Sequence, residues 1–184
     1  MAGKESLKIT GRGLDMNTTR RQFLKAAGIA LAGSNIIVSQ ANSRGQTRAP
    51  MKIKGKTIVS GFVKGEAIVS NMPISFTGGM DPYTGIIREP GHDLQGKSVA
   101  GKILVFPIGK GSTTGSWQFY IAYKHGKAPI GIINVKAEGV VAISAVMTNT
   151  PMIHLLEKDP LECIRSGDIV TINGNEGFVE IVPV

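Results

Sequence analysis

Cysteine is scarce in this chain, and its scarcity limits the chemistry that the chain can perform alone. Cys163 is the single cysteine among 184 residues, so no disulfide can form within the chain. A thiolate-held iron–sulfur cluster needs several cysteines. The histidines, His92, His125 and His154, show no metal-ligand spacing with one another or with Cys163. We therefore predict no metal site in this chain, and we interpret Cys163 as a small buried apolar residue on a short helix.

Long apolar runs and a strong charge on the folded part are also missing. The apolar stretch at residues 26–38 is too short to span a bilayer as a helix, and Ser34 and Asn35 interrupt it. The formal charge is +8, but residues 1–50 hold eight Lys or Arg against two acidic residues, a charge of +6. The 13 basic and 11 acidic residues that remain give only +2. We therefore expect no stable membrane insertion and no nucleic-acid surface on the domain.

The N-terminal segment has the pattern of an export leader. Residues 18–25, TTRRQFLK, closely resemble the twin-arginine signal motif, and the mildly apolar residues 26–38 follow them. Residues 39–41, SQA, offer small side chains for cleavage. We predict a twin-arginine-type leader and linker over residues 1–50, and hence export to the periplasm.

Two further expectations belong to this segment. Residues 42–50, NSRGQTRAP, are interpreted as a linker without structure of its own. The alternative to a leader is a misassigned start, with Met16 or Met51 as the true beginning, and the protein is then cytoplasmic.

Residues 51–184 alternate short β patterns with helical patterns and form the folded domain. Buried parallel strands are predicted at residues 103–106, 130–135 and 151–155, and other strands at 52–60, 66–70, 73–76, 168–172 and 178–182. Residues 159–164 form a short helix with Asp159 as its cap and Pro160 at its first position. Residues 140–147 fit a helix or a strand equally well. The predicted fold is a three-layer α/β domain, a small parallel sheet between helices and an antiparallel sheet.

The most informative stretch is the strand, loop and helix over residues 102–126. The loop places glycines and hydroxyls, GKGSTTGS at residues 109–116, at the start of a helix that His125 and Gly126 end. The first turn of a helix has unpaired N–H groups and a partial positive charge, so it binds carboxylates, phosphates or a developing alkoxide. Ser112 is best placed to use this property. From the residues alone, a role for Ser112 or Thr113 as a simple helix cap is equally well supported.

The order of motifs in the domain resembles the small subunit of the aconitase X family. The motifs are PISFTGGMDPYTG at residues 73–85, HDLQG at 92–96, the stretch 101–116, and GKAP at 126–129. The resemblance implies a swivelling β/β/α domain that closes over a larger subunit with an iron–sulfur centre. This chain is then one half of a heterodimer and binds no cofactor itself.

Two activities are implied by the resemblance, and both dehydrate a small anionic β-hydroxy acid. They are phosphomevalonate dehydratase, of the archaeal-type mevalonate pathway, and cis-3-hydroxy-L-proline dehydratase. The motifs at residues 111–116, 134–138 and 173–179 look more like the first. An exported, non-catalytic binding module that reuses the fold is the alternative from another functional class.

The resemblance also implies roles for the loop residues. The family's proton-accepting serine maps onto Ser112, which suits a dehydration that needs a base at the carbon α to the carboxylate. Lys110 is a candidate to pair with an anionic group of the substrate, and the alternative is a solvated lysine between two glycines of an exposed loop. The expected donors to the substrate carboxylate or phosphate are Gly111, Thr113, Thr114, Gly115 and Ser116. Lys136 and Glu138, in a neighbouring loop, are interpreted as an exposed ion pair.

Overall fold

The computed structural model describes residues 48–184, and the predicted leader lies outside this range. The strands are β1 (Met51–Lys54), β2 (Lys56–Val59), β3 (Phe62–Val69), β4 (Ile103–Phe106), β5 (Gly131–Asn134), β6 (Met152–His154), β7 (Ile169–Asn173) and β8 (Phe178–Val182). The helices are α1 (Thr114–Lys124), α2 (Gly139–Thr148) and α3 (Pro160–Cys163). The strands form one continuous mixed sheet in the order β1-β8-β7-β3-β4-β5-β6-β2. In the part of the chain that is described, no helix has the length and apolar character needed to cross a membrane.

Strand β3 joins two differently built halves of this sheet. Its residues 62–66 pair antiparallel with β7, and its residues 67–69 pair parallel with β4. Strands β4, β5 and β6 continue the parallel half, whereas β7, β8 and β1 continue the antiparallel half. One apolar cluster takes side chains from both halves, among them Ile53, Ile103, Ile133, Val170 and Ile181. The antiparallel half therefore covers one face of the parallel half.

Helices α1 and α2 cover the opposite face of the parallel strands. Because successive side chains of a strand point to opposite faces, β4 contributes Ile103 and Val105 to the cluster between the sheets and Leu104 and Phe106 to the helix side. All four side chains are fully buried, and each contributes about 1.5–3 kcal/mol of burial free energy. Phe119 of α1 packs in the helix-side cluster. The predicted three-layer β/β/α arrangement is confirmed.

Helix α2 resolves the ambiguity at residues 140–147. The Glu138 carboxylate accepts hydrogen bonds from the N–H groups of Val140 (2.9 Å) and Val141 (3.4 Å), and so caps the first turn. Asn149 ends the helix in the left-handed conformation, with φ 51°. The predicted cap of the short helix is also present, because Asp159 accepts from the N–H of Leu161 at 2.9 Å.

The prediction of one strand over residues 52–60 is wrong, because the chain changes layer at Gly55. Strand β1 pairs with β8 in the antiparallel half, and β2 pairs with β6 at the far edge of the sheet. The Gly55 N–H donates to the carbonyl of Gly177 at 2.9 Å. A Cβ added at Gly55 would lie 3.1 Å from the carbonyl oxygen of His154. Both segments are strands, as their apolar pattern predicts. The change of layer between β1 and β2 depends on the close approach of the Gly55 backbone to His154.

The strand predicted at residues 73–76 is also wrong. This segment makes only an isolated bridge, between Ile74 and Gly109. Ile74 and Phe76 are nonetheless buried in the helix-side cluster. Their alternating pattern therefore reflects burial beneath the helices rather than pairing in the sheet.

The folded part begins before the boundary predicted at residue 51. The Arg48 guanidinium donates to the Asp168 carboxylate at 2.5 Å and to the Cys163 carbonyl at 3.0 Å. Burial raises the pKa of Asp168, but the hydrogen bonds from Arg48 and from the N–H of Arg165 outweigh it and hold that pKa below its usual value. Arg48 thus contacts the domain from within the predicted linker, and residues 42–47 of that linker lie outside the described residues. Cys163 lies in α3, half-buried against the cluster between the sheets.

Candidate active site

The candidate site lies where the parallel strands end. The loop after β4 leads into α1, and the loop after β5 leads into α2, so both loops meet at the carboxyl edge of the parallel half. The connection between β3 and β4 holds the first loop from the side, because the N–H of Lys110 donates to the Ile74 carbonyl at 2.9 Å. Three segments distant in sequence therefore form one site.

Ser112 lies exposed just before α1. Its Oγ accepts from the N–H of Thr114 at 3.3 Å and donates to the Thr114 hydroxyl at 3.3 Å. Both distances are longer than the usual 2.7–3.2 Å. Thr113, at the cap position itself, makes no side-chain cap bond. The expected helix cap is thus formed by Ser112 rather than Thr113, and its hydrogen bonds are long. The Ser112 residue remains exposed to solvent.

The backbone of the loop offers free hydrogen-bond donors. Within residues 48–184, the N–H groups of Gly111, Ser112 and Thr113 make no hydrogen bond. The N–H of Gly115 donates instead to the Ser112 carbonyl at 2.9 Å, and the N–H and Oγ of Ser116 both bond the Thr113 carbonyl. Of the donors predicted from the sequence, those at the beginning of the loop are available for a ligand.

Two loop positions require glycine. Gly111 has φ 107°, and an added Cβ would lie 2.5 Å from the Ser75 Oγ. A Cβ added at Gly109 would lie 2.4 Å from Cγ2 of Val141, because the loop passes directly over the first turn of α2. Larger side chains would therefore displace the loop that holds Ser112.

A cavity of about 290 Å³ opens beside the loop. Its lining includes Ser75, Thr77, Gly79, Glu89, Lys110 and Gly111. The Lys110 ammonium forms an ion pair with the Glu89 carboxylate, and the two side chains are 40% and 25% exposed. Lys110 is therefore held at the cavity rather than extended freely into solvent.

Sequence reasoning missed Ser75, Thr77 and Glu89 as site residues. The Ser75 hydroxyl donates to the Thr77 carbonyl at 2.9 Å, and the Thr77 hydroxyl donates to the Ser112 carbonyl at 3.4 Å. These bonds brace the serine loop. The glycine pair at residues 78–79 could have indicated a tight turn here. A Cβ on Gly79 would lie 2.3 Å from the Ser75 carbonyl oxygen, so the turn requires glycine.

The ion pair expected between Lys136 and Glu138 is wrong. Among the described ion pairs none joins these two residues, because the Glu138 carboxylate caps α2. The same loop is fixed by His154, whose Nδ1 accepts from the N–H of Ala137 at 3.0 Å. Burial, and then the charge of Lys56, lowers the pKa of His154. The imidazole is thus held neutral, as an acceptor of this bond must be.

No group of three or more His, Cys, Asp or Glu residues within residues 48–184 is arranged to hold a metal ion. The residues of the site are hydroxyls, backbone N–H groups and one paired ammonium, which bind anions. They do not fit an iron–sulfur cluster.

A three-layer β/β/α domain with a serine loop at the start of a helix defines the class of swivelling domains. A family model for the aconitase X swivel domain matches residues 52–181, so the chain belongs to that family. The phosphomevalonate dehydratase small subunit of Methanosarcina acetivorans is 49% identical over 133 residues, 72% of this chain and 92% of that protein. The protein of the same name from Pyrococcus furiosus is 45% identical over 132 residues, 72% of this chain and 96% of its own.

A solved structure shows the same fold. The crystal structure of Thermococcus kodakaraensis aconitase X (holo-form) superposes with a TM-score of 0.68 at 45% identity, over 71% of this chain and 98% of that one. The family resemblance and the swivelling fold inferred from the sequence are thereby confirmed.

Proposed function

We propose that this chain is the small subunit of a two-chain hydro-lyase that dehydrates (R)-5-phosphomevalonate to trans-anhydromevalonate 5-phosphate. The observation that carries the proposal is the position of Ser112, exposed at the start of α1 beside free N–H groups. The names of its relatives support the same substrate. A small subunit implies a large one, so the active form is a heterodimer with an aconitase X-type large subunit.

In the proposed reaction, Ser112 accepts a proton from the carbon α to the substrate carboxylate. The hydroxyl on the adjacent carbon departs with its bonding electrons, takes up a proton and leaves as water, while a carbon–carbon double bond forms. The free N–H groups of Ser112 and Thr113 hold the carboxylate at the start of the helix. The loop thereby places the reacting carbon next to the serine oxygen.

The loop alone does not make Ser112 basic enough at neutral pH. An alcohol holds its proton about as tightly as water does, so its pKa lies far above neutral pH. A helix N-terminus contributes at most about 2 kcal/mol, which lowers that pKa by about 1.5. Most of the difference must come from groups of the large subunit and from the exclusion of water when the subunits close.

An iron–sulfur cluster belongs, in this proposal, to the large subunit. It would supply a Lewis acid for the leaving hydroxyl. This chain contributes the serine, the anion-binding loop and the cavity beside it.

The first prediction tests Ser112. In the enzyme reconstituted with its large subunit, Ser112→Ala lowers steady-state dehydration of 5-phosphomevalonate at least about a hundredfold, the lower end for loss of a general base. Folding stability changes by no more than about 1 kcal/mol, the value of one cap. The control is Ser98→Ala, because the Ser98 Oγ also accepts from an N–H two residues on, that of Ala100, at 3.3 Å.

Each outcome separates the alternatives. Turnover of cis-3-hydroxy-L-proline but not of 5-phosphomevalonate would show that the enzyme is a cis-3-hydroxy-L-proline dehydratase. Failure of the chain to bind a large subunit would favour the non-catalytic binding module. Retained activity in Ser112→Ala would show that the Ser112 hydroxyl only caps the helix and that another residue is the base.

A further inference from the structure

We propose that the cavity beside the serine loop is the subsite for the substrate's phosphate, with Lys110 as its cation and Glu89 as a resident counter-ion that the phosphate displaces. This inference rests on the proposed function and deepens it.

The size of the cavity suits one end of a substrate. Ligand pockets commonly measure about 300–1,000 Å³, and this cavity of about 290 Å³ lies at the lower limit. It opens at Lys110 and Gly111, immediately before Ser112 in the chain. A group bound in the cavity can therefore belong to the same substrate molecule whose reacting carbon lies beside Ser112.

The chemistry of the lining suits a phosphomonoester. The Lys110 ammonium has three donor hydrogens, and Glu89 accepts from it. The N–H of Gly111 makes no hydrogen bond within residues 48–184. A phosphate bound by an ammonium and a backbone N–H makes charge-assisted hydrogen bonds, which are the strong ones.

The direction of the substrate follows from the position of Ser112. The proton leaves the carbon next to the carboxylate, so the carboxylate lies beside Ser112 and the first turn of α1. The phosphate lies at the other end of the substrate, five bonds from that carbon. Two steps along the chain separate Lys110 from Ser112, a span of up to about 7 Å between their Cα atoms, so an extended substrate reaches the cavity.

Glu89 sets the affinity of the subsite for anions. The Glu89 carboxylate is paired with the Lys110 ammonium. A phosphate dianion can displace it, whereas the uncharged end of an unphosphorylated hydroxy acid cannot. Glu89 therefore weakens the binding of any anion at Lys110, because the anion must first displace the Glu89 carboxylate.

The direct test is titration of the full-length ¹⁵N-labelled chain with inorganic phosphate, followed through the amide signals of Gly79 and Gly111. Lys110→Met weakens binding at least about tenfold, as expected for a lost charge-assisted bond. Glu89→Gln tightens binding about twofold to fivefold, the value of one partly exposed ion pair. The matched controls are Lys102→Met and Glu66→Gln, which break another Lys–Glu pair of 2.6 Å on the surface and leave the affinity unchanged.

The second test uses the reconstituted enzyme with 5-phosphomevalonate and with mevalonate, which lacks the phosphate. Glu89→Gln lowers KM for 5-phosphomevalonate about twofold to fivefold with kcat within twofold. It widens the preference over mevalonate, because the uncharged end of mevalonate does not compete with Glu89 for Lys110. Lys110→Met removes most of that preference. A Glu89→Gln variant with unchanged or weaker phosphate binding would overturn the role of Glu89, and phosphate-induced shifts elsewhere in the domain would overturn the subsite.

The two proposals fail in different ways. Phosphate binding at the loop of a complex that dehydrates no hydroxy acid would reject the proposed reaction and keep the subsite. Dehydration of 5-phosphomevalonate that is unaffected by Lys110→Met would reject the subsite and keep the reaction.

Discussion

At the scale of single residues, Gly111 decides whether the serine loop keeps its shape. Its φ of 107° is strained for any other residue, and an added Cβ would lie 2.5 Å from the Ser75 Oγ. We expect Gly111→Ala to cost about 1–3 kcal/mol of unfolding free energy and to lower activity by displacing Ser112. Chemical denaturation and steady-state kinetics measure the two effects.

The control for Gly111 separates strain from collision. Gly126 has φ 65°, and an added Cβ there meets no atom within 4 Å, so Gly126→Ala introduces backbone strain alone. Ser75→Ala removes the atom that Gly111→Ala strikes, and the double variant recovers part of the lost activity. Equal effects of the two glycine substitutions on activity would contradict a steric requirement at the loop.

His154 makes the stability of the domain depend on pH. Its pKa is lowered in the folded state by burial and by Lys56, so the unfolded chain binds the proton more tightly. Its stabilising contribution is present above the usual histidine pKa of 6.5 and is lost as the pH falls through that value toward the lower folded pKa. We expect His154→Asn, which keeps an acceptor but cannot titrate, to flatten unfolding free energy against pH between about 7 and 5. An unchanged slope would show that other groups dominate.

At the scale of elements, the sequence pattern predicted those strands, turns and helix ends that depend on interactions between adjacent residues. The four apolar residues of β4, the cap and proline of α3 and the glycine turn after β4 each follow from a few adjacent residues, and the structure has all three. The pattern over helix α2 is ambiguous because apolar residues also occupy its exposed face, at Ile143, Val146 and Met147. Glu138, the residue before it, decides the outcome through a cap that periodicity does not register.

The errors also lie at the element scale and share a cause. The break at Gly55 and the bridge at Ile74 depend on segments more than 30 residues away, His154 and Gly109. Glu89 likewise reaches Lys110, 21 residues later in the chain, only because the connection after β3 folds back against the loop. A single sequence predicted the serine, the glycines and the lysine, but it contains no signal for the partner that this lysine meets.

At the scale of the whole molecule, we propose that the location of the protein depends on Arg20 and Arg21. Replacement of both by lysine keeps the charge but removes the guanidinium pair that a twin-arginine translocon recognises. We expect the double variant to stay in the cytoplasm while the wild-type chain reaches the periplasm, as measured by cell fractionation. Lys4→Arg together with Lys8→Arg, outside the motif, serves as the control, and equal distribution of all forms would contradict an export leader.

Strand β3 determines how the domain opens. Because its first five residues pair with β7 and its last three with β4, neither half of the sheet can detach without breaking bonds of the same strand. Amide protons in β3, β4 and β7 therefore exchange with solvent through one shared global opening rather than through separate local ones. If the domain moves against a large subunit, we expect the two halves of the sheet to move together and to carry Ser112 with them.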